Sequence, residues 1–396
     1  MDFKHLTRFN DAISAMNSLN FVRRQKSIEL QDCVWKFAFD DALSPSTFPP
    51  SNRSAVDGFA LKFEDVISSS RGNPCPLKVV GRLDASTVPD FVVRERECAQ
   101  VFTGSTIPEG CDAVIMQEDA DIINDIVYAY RPLRKYQNIM LAGEDLNKGD
   151  IILRAGKRIL PWHYAALIET GIKKVNVHDE SIAIISTGNE LVSGKVKNST
   201  APMLSQLISR SGLASNFYGN VEDDKSRIRD VLNSVKEDVI ITTGGSGPGS
   251  VDLVHSVVED NGKIIFHGLR IKPGRTTGLG VFNGKPVFMI SGLPVAALVA
   301  YDNIIEPGIR AWFGIEDRRI REVTGTITRS VYNNEAMKMF VRVKLIPRDG
   351  KLYADPLRTT GSGVVSSVLN ADGYLVIDDD LEGYRDGDEV QVNLLE

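Results

Sequence analysis

Residues 238–252 read DVIITTGGSGPGSVD, a β-branched run followed by glycines at 244, 245, 247 and 249 and then an acidic residue. The run is short, apolar and β-branched, the pattern of a strand buried on both faces. The glycines remove Cβ atoms, admit positive φ and let an anion approach the main-chain amides. A helix is predicted from about Val251, so its free N–H groups and the positive end of its dipole face the same loop. Ser250 suits the N-cap of that helix. Asp252, in the first turn, would repel a phosphate unless a bridging Mg²⁺ or a ligand hydroxyl met it. Taken alone, such a loop also fits an ordinary tight connection in an α/β fold.

Working outward, SIAIIS (181–186) is another buried-strand run, and it too ends in a polar loop, TGNE. Pro202–Ser211 has helical spacing with Gly212 as its stop, and Asp223 or Asp224 can cap the helix that carries Ile228, Val231, Leu232 and Val235. KIIF and the hairpin GLGVFNGKPVFMIS follow, with Asn283–Gly284 as a type I′ turn, and a long helix starts at Pro294. Alternating strands and helices with continuous Val/Ile runs predict a mostly parallel sheet covered on both faces. Ligands of such sheets bind beyond the carboxyl ends of the strands, here the loops after 186, 243 and 291. Farther out, residues 1–40 have helical spacing, and Ser44–Arg53 is a Pro- and Ser-rich hinge. Residues 54–140 read as short strands. Beyond Asp317, five alternating segments with a hairpin at Asp349–Gly350 predict a small barrel or sandwich.

Whole-chain properties narrow the function classes. The 396 residues exceed one hydrophobic core and predict two to four domains. A net charge of −6 without a basic stripe disfavours general nucleic-acid binding. Pro294–Phe313, the longest apolar stretch, contains Asp302, Glu306 and Arg310 and is therefore read as a buried helix, with no membrane span. Cys33, Cys75, Cys98 and Cys111 form no CxxC pair, and the histidines show no HxH or HExxH spacing. A metal, if used, should be a hard, oxygen-bound ion such as Mg²⁺. The absence of a signal-peptide pattern favours a cytoplasmic setting.

Other motifs are individually modest. IKPGRT (271–276) sets Lys272 and Arg275 around a Pro273–Gly274 turn, suited to a phosphate or oxyanion as well as to a solvated turn. STGNEL offers Thr187 and Gly188 as donors and Glu190 as a carboxylate. SAVDGFA with Asp57, TGSTIPEGCDAVIMQE with Thr103, and GEDLNKGD with Asp145 fit structural turns when taken singly.

Their order, with GSGVVSSVLNADG near the C-terminus, resembles the MoeA/gephyrin-E family of molybdopterin molybdenumtransferases, from about Asp40 onward. The resemblance implies a multidomain α/β and β protein: an elongated helical domain (1–52 with 140–175), an inserted β-rich domain (53–139), a three-layer molybdopterin-binding α/β domain (176–316) and a C-terminal β-barrel (317–396). It implies a homodimer with its cleft between the α/β domain of one copy and the inserted domain of the other, and leaves room for other proteins of molybdenum cofactor biosynthesis as partners. The implied reaction inserts molybdate or tungstate into adenylylated molybdopterin and releases AMP with Mg²⁺. Asp57, Asp145, Glu190 and Asp252 are the implied catalytic residues, and Asp57, Glu190, Asp223, Asp224 and Asp252 the implied metal ligands. Substrate contacts are implied for Thr103, Thr187, Gly188, Thr243, Gly244, Gly245, Gly247, Gly249, Lys272, Pro273, Gly274, Arg275 and Ser362. The motifs depart from the family pattern at Gly247, Ser250, Gly268, Leu293 and Ala296, which shifts binding from side chains toward backbone amides. A non-catalytic molybdopterin-holding protein and a molybdopterin adenylyltransferase are the alternative readings; acidic residues in every motif favour the metal-inserting enzyme.

Overall fold

The Val/Ile runs pair with one another. In a computed structural model, which describes residues 6–245, 252–318, 320–357 and 363–395, the central sheet contains β1 (Ser181–Thr187), β2 (Ala214–Val221), β3 (Val239–Thr243), β4 (Gly262–His267), β5 (Gly278–Phe282) and β6 (Lys285–Ile290). Their order is β2-β1-β3-β6-β5-β4. The first four in that order are parallel, and the β5–β6 hairpin with β4 adds an antiparallel edge. Asn283 and Gly284 turn the hairpin with φ of 50° and 77°, as a type I′ turn requires.

Because successive side chains alternate, each strand feeds two cores. Ile182, Ile184, Val239, Ile241, Phe288 and Ile290 pack with Leu204 and Ile208 of α1 (Thr200–Arg210) and with the long C-terminal helix. Ala183, Ile185, Ile240, Val287 and Met289 pack with α2 (Lys225–Ser234) and α3 (Leu253–Asn261). The long helix opens as α4 (Pro294–Ala300), widens into a π turn over Tyr301–Ile305 and resumes as α5 (Glu306–Phe313). Its buried charges are paired, as burial demands. Glu306 Oε1 accepts from Arg310 Nη2 at 2.7 Å and from the Ser211 hydroxyl at 2.7 Å. Among the described residues no helix is long and apolar enough to cross a membrane.

The C-terminal segments close into a barrel. β7 (Glu322–Ile327), β8 (Lys338–Arg348), β9 (Lys351–Pro356), β10 (Gly373–Ile377) and β11 (Glu389–Leu394) pair in the ring β8-β9-β7-β11-β10-β8. Closure leaves no strand edge within the ring. Asp349 and Gly350, at φ of 50° and 72°, turn β8 into β9. The short strand Ile271–Lys272 leaves the α/β domain and pairs in parallel with Lys338 and Met339 of the barrel.

The N-terminal region differs from its helical reading. Among the described residues of this stretch the α-helix is confined to Phe9–Asn17, with one 3-10 turn at Leu30–Asp32, while Gln25–Glu29 forms a strand antiparallel to Lys174–His178. Spacing alone could not reveal that partner, which lies far along the chain and supplies the backbone hydrogen bonds. Ala42–Leu43 likewise pairs with Ile151–Leu153, and Arg53–Ser54 with Ile139–Met140. Between these pairings lies a six-stranded sheet whose core includes Phe59, Leu77, Ile115 and Val127.

Candidate active-site cleft

The loops after β1, β3 and β6 open on a common cleft of about 530 Å³. Thr187, Glu190, Thr243, Gly244 and Gly245 line one side; Lys272, Pro273, Gly274 and Arg275, with Arg342 of the barrel, line another. This is the carboxyl end of the parallel strands, where the topology leaves room for a ligand.

Hydroxyls make the floor. Thr187 is buried, and among the described residues its Oγ1 has no hydrogen-bond partner. Gly244 adopts φ 101°, and a Cβ there would lie 2.1 Å from the Thr187 carbonyl oxygen. At Gly245 a Cβ would come within 3.3 Å of Thr187 Oγ1 and 3.8 Å of Asp252 Oδ1. A side chain at either position would crowd Thr187, and both residues take a positive φ, so glycine suits them. Beside it, Ser186 Oγ and Thr243 Oγ1 are 2.9 Å apart, and Asn198 Nδ2 donates to Ser186 at 2.8 Å. Asn198 Oδ1 in turn accepts from the Ala201 amide at 3.1 Å. Asn198 was missed as a cleft residue; its signal was the polar Asn–Ser–Thr sequence that opens an apolar-periodic helix.

Lys272 and Arg275 reach the cleft around the Pro273–Gly274 turn, and both meet a carboxylate the motifs gave no hint of. Lys272 Nζ donates to Glu335 Oε1 at 2.6 Å, while Arg275 Nη2 donates to Glu335 Oε2. The Lys272 hydrogen bond, more than any other influence, holds the Glu335 carboxyl below its ordinary range. Arg342 is buried and donates to Ser367 Oγ at 3.3 Å and to the Phe340 carbonyl at 3.2 Å. Its visible signal was a lone cation in the otherwise apolar FVRV of β8.

The carboxylates are dispersed. Asp252, expected in the first turn of α3 behind a Ser250 cap, is itself the N-cap: its Oδ1 accepts from the His255 amide at 3.0 Å. A side chain bonding the third helical amide occupies the cap position, which corrects the expected start. Oδ2 of Asp252 is 3.2 Å from His267 Nε2, and the His255 and His267 rings are 4.2 Å apart. The Asp252 carboxylate is thus turned onto its own helix and an imidazole, which removes the conflict with a bound anion. Glu190 lines the cleft and folds over Gly188, where a Cβ would meet its Oε1 at 2.6 Å. Asp223 accepts from the Asn189 amide at 3.2 Å, and Asp224 caps α2 through the Ser226 and Arg227 amides. Asp57 accepts from the Thr103 amide at 2.7 Å and hydroxyl at 2.8 Å, which together hold its carboxyl below the ordinary range.

Asp57 and Thr103, in the inserted domain, and Asp145, on an exposed turn, do not line this chain's cleft. Among the described residues no three His, Cys, Asp or Glu side chains converge as a metal site, so the five candidate ligands form no single cage. Gly247, Gly249, Ser250 and Ser362 lie outside the described residues.

Comparison with known proteins agrees along the chain. Residues 7–171 match the MoeA N-terminal region (domain I and II), residues 183–311 the model described as "Probable molybdopterin binding domain", and residues 324–395 the MoeA C-terminal region (domain IV). A Methanocaldococcus jannaschii protein named for molybdopterin biosynthesis is 33% identical over 390 residues, covering 94% of this chain and 93% of that one. A Bacillus subtilis molybdopterin molybdenumtransferase is 29% identical, over 93% of this chain and 89% of its own. The crystal structure of a Pyrococcus horikoshii molybdopterin biosynthesis MoeA protein superposes with a TM-score of 0.84 at 30% identity, over 99% of this chain and 100% of that one. With a fold and a sequence shared from end to end, the chain belongs to the MoeA family of molybdenum cofactor biosynthesis.

Proposed function

We propose that this protein is a molybdopterin molybdenumtransferase whose cleft binds adenylylated molybdopterin together with molybdate or tungstate. The observation that carries the reading is the buried, unpartnered Thr187 hydroxyl beneath Gly244 and Gly245. Leaving such a group without a partner costs about 1–3 kcal/mol, a cost a ligand oxyanion would offset. Phosphate and molybdate are both tetrahedral oxyanions and call on the same donors. Lys272 and Arg275 supply the opposing charge, and they stabilise negative charge developing on the phosphate as the anhydride to AMP breaks. The sulfur ligands for the metal belong to the pterin substrate, so no protein nucleophile is required.

The Mg²⁺ that the family resemblance implies finds no three converging carboxylates among the described residues of one chain. The second reading, in which the protein holds molybdopterin without turning it over, is the one that an AMP-release assay separates from the enzyme. A homodimer bears on the choice: Asp57 and Thr103 are exposed, hydrogen-bonded to each other and absent from the lining of their own cleft, so a second copy could complete the site.

Thr187→Val tests the cleft. It is nearly isosteric and removes only the orphaned hydroxyl, so folding stability should hold or rise while molybdate and phosphate affinity falls roughly tenfold, the worth of one charge-assisted hydrogen bond. Unchanged affinity by isothermal titration would sink the cleft assignment. AMP release from adenylylated molybdopterin on adding molybdate separates the enzyme from the non-catalytic binder.

A further inference from the structure

Two cations of the cleft already hold an anion that belongs to the protein. Glu335 lies in the loop entering β8, and its two carboxylate oxygens are divided between Lys272, at 2.6 Å, and Arg275. The loop that carries it is pinned. Asn333, buried beneath it, donates through Nδ2 to the carbonyls of Met337 (2.9 Å), Asp378 (3.0 Å) and Leu381 (3.1 Å). On its far side, Arg270 Nη2 donates to the Ala336 carbonyl at 2.9 Å, and the Lys338 amide to the Arg270 carbonyl at 2.8 Å. Glu335 is therefore delivered to the cations by the barrel and is no chance contact of a loose side chain.

We propose that Glu335 is a specificity-determining residue: a built-in counter-anion that competes with ligand for Lys272 and Arg275, so that only a multiply charged phosphate group displaces it. This rests on the reading of the cleft as an anion site. A carboxylate neutralises one of the two positive charges and engages a donor from each. A singly charged ligand gains little by replacing it, whereas a diphosphate brings more charge and more acceptors to the same fork. The half-exposed position of the trio, with side chains 31–43% accessible, lets the carboxylate swing aside without breaking the core.

The test is calorimetric titration of pyrophosphate into the full-length protein, its Glu335→Gln variant and the double variant Glu335→Gln/Lys272→Met. Glutamine keeps the shape and removes the charge. The single variant should bind pyrophosphate about tenfold more tightly than the unaltered protein, and the double variant should lose that gain. Equal or weaker binding by Glu335→Gln, with an unchanged melting temperature, would overturn the competition and make Glu335 a positioning residue for the cations. A gain that survives in the double variant would overturn its route through Lys272. If none of the three proteins binds pyrophosphate, the anion cleft itself falls, and the proposal with it.

Discussion

The His255 and His267 rings lie 4.2 Å apart at a tilt of 34°, with Asp252 bonded to the second of them. Burial, and then the neighbouring His267, lower the pKa of His255 from its ordinary 6.5. The native state therefore binds fewer protons at this site than the unfolded chain does. Its contribution makes stability fall as pH drops below about 6.5 and recover as pH rises through that window. An NMR titration of the His255 imidazole should show a midpoint under 6.5; a midpoint at or above it would contradict the burial. At this scale the sequence is legible in some residues and silent in others. Thr187, Gly244 and Lys272 stand where strand ends and a Pro–Gly turn said they would. The role of Asp252 was not legible, because capping and ligand contact call for the same residue in the same turn. Glu335 was invisible, since nothing in Asn333–Met337 resembles a binding motif and only the fold brings it to Lys272.

Elements succeeded where their patterns were local. The parallel strands, the Asn283–Gly284 and Asp349–Gly350 turns and the barrel strands carry their period and turn chemistry within a few residues. Gln25–Glu29 failed that test, since what makes it a strand is a partner beyond residue 170. The Asn333 loop is the element on which the cation clamp depends. Asn333→Ala removes a buried amide whose two N–H hydrogens are shared among the carbonyls of Met337, Asp378 and Leu381, together with the side-chain oxygen that accepts from the Met337 amide. It should destabilise the barrel by roughly 2–3 kcal/mol in urea unfolding. A loss below about 0.5 kcal/mol would mean that the loop is held by its neighbours alone.

At the scale of the whole molecule, the separation of the Asp57–Thr103 pair from the Thr187 cleft makes a prediction about copies of the chain. If a second copy completes each site, Asp57→Asn and Lys272→Met lesions lie on opposite sides of one composite cleft. Each variant alone should be inactive in AMP release. Co-expressed, mixed dimers carry both lesions in one cleft and none in the other, and should regain up to about half the activity per dimer. No recovery in purified mixed dimers would place the complete site within one chain. Domain composition could be read from motif order, but which copy faces which cleft is a property of assembly and leaves no mark on sequence spacing.

The strand Ile271–Lys272 bridges two domains. It belongs by sequence to the α/β domain but is hydrogen-bonded into the barrel through Lys338 and Met339. Thr187 and Gly244 ride on the other sheet. Ile271 is at the same time buried in the core that joins the α/β sheet to the barrel's Phe340 and Tyr374, so Lys272 is held by both domains while the hydroxyl floor belongs to one. The width of the anion cradle is therefore set by how the two domains pack, and a ligand gripping both sides would tie one to the other.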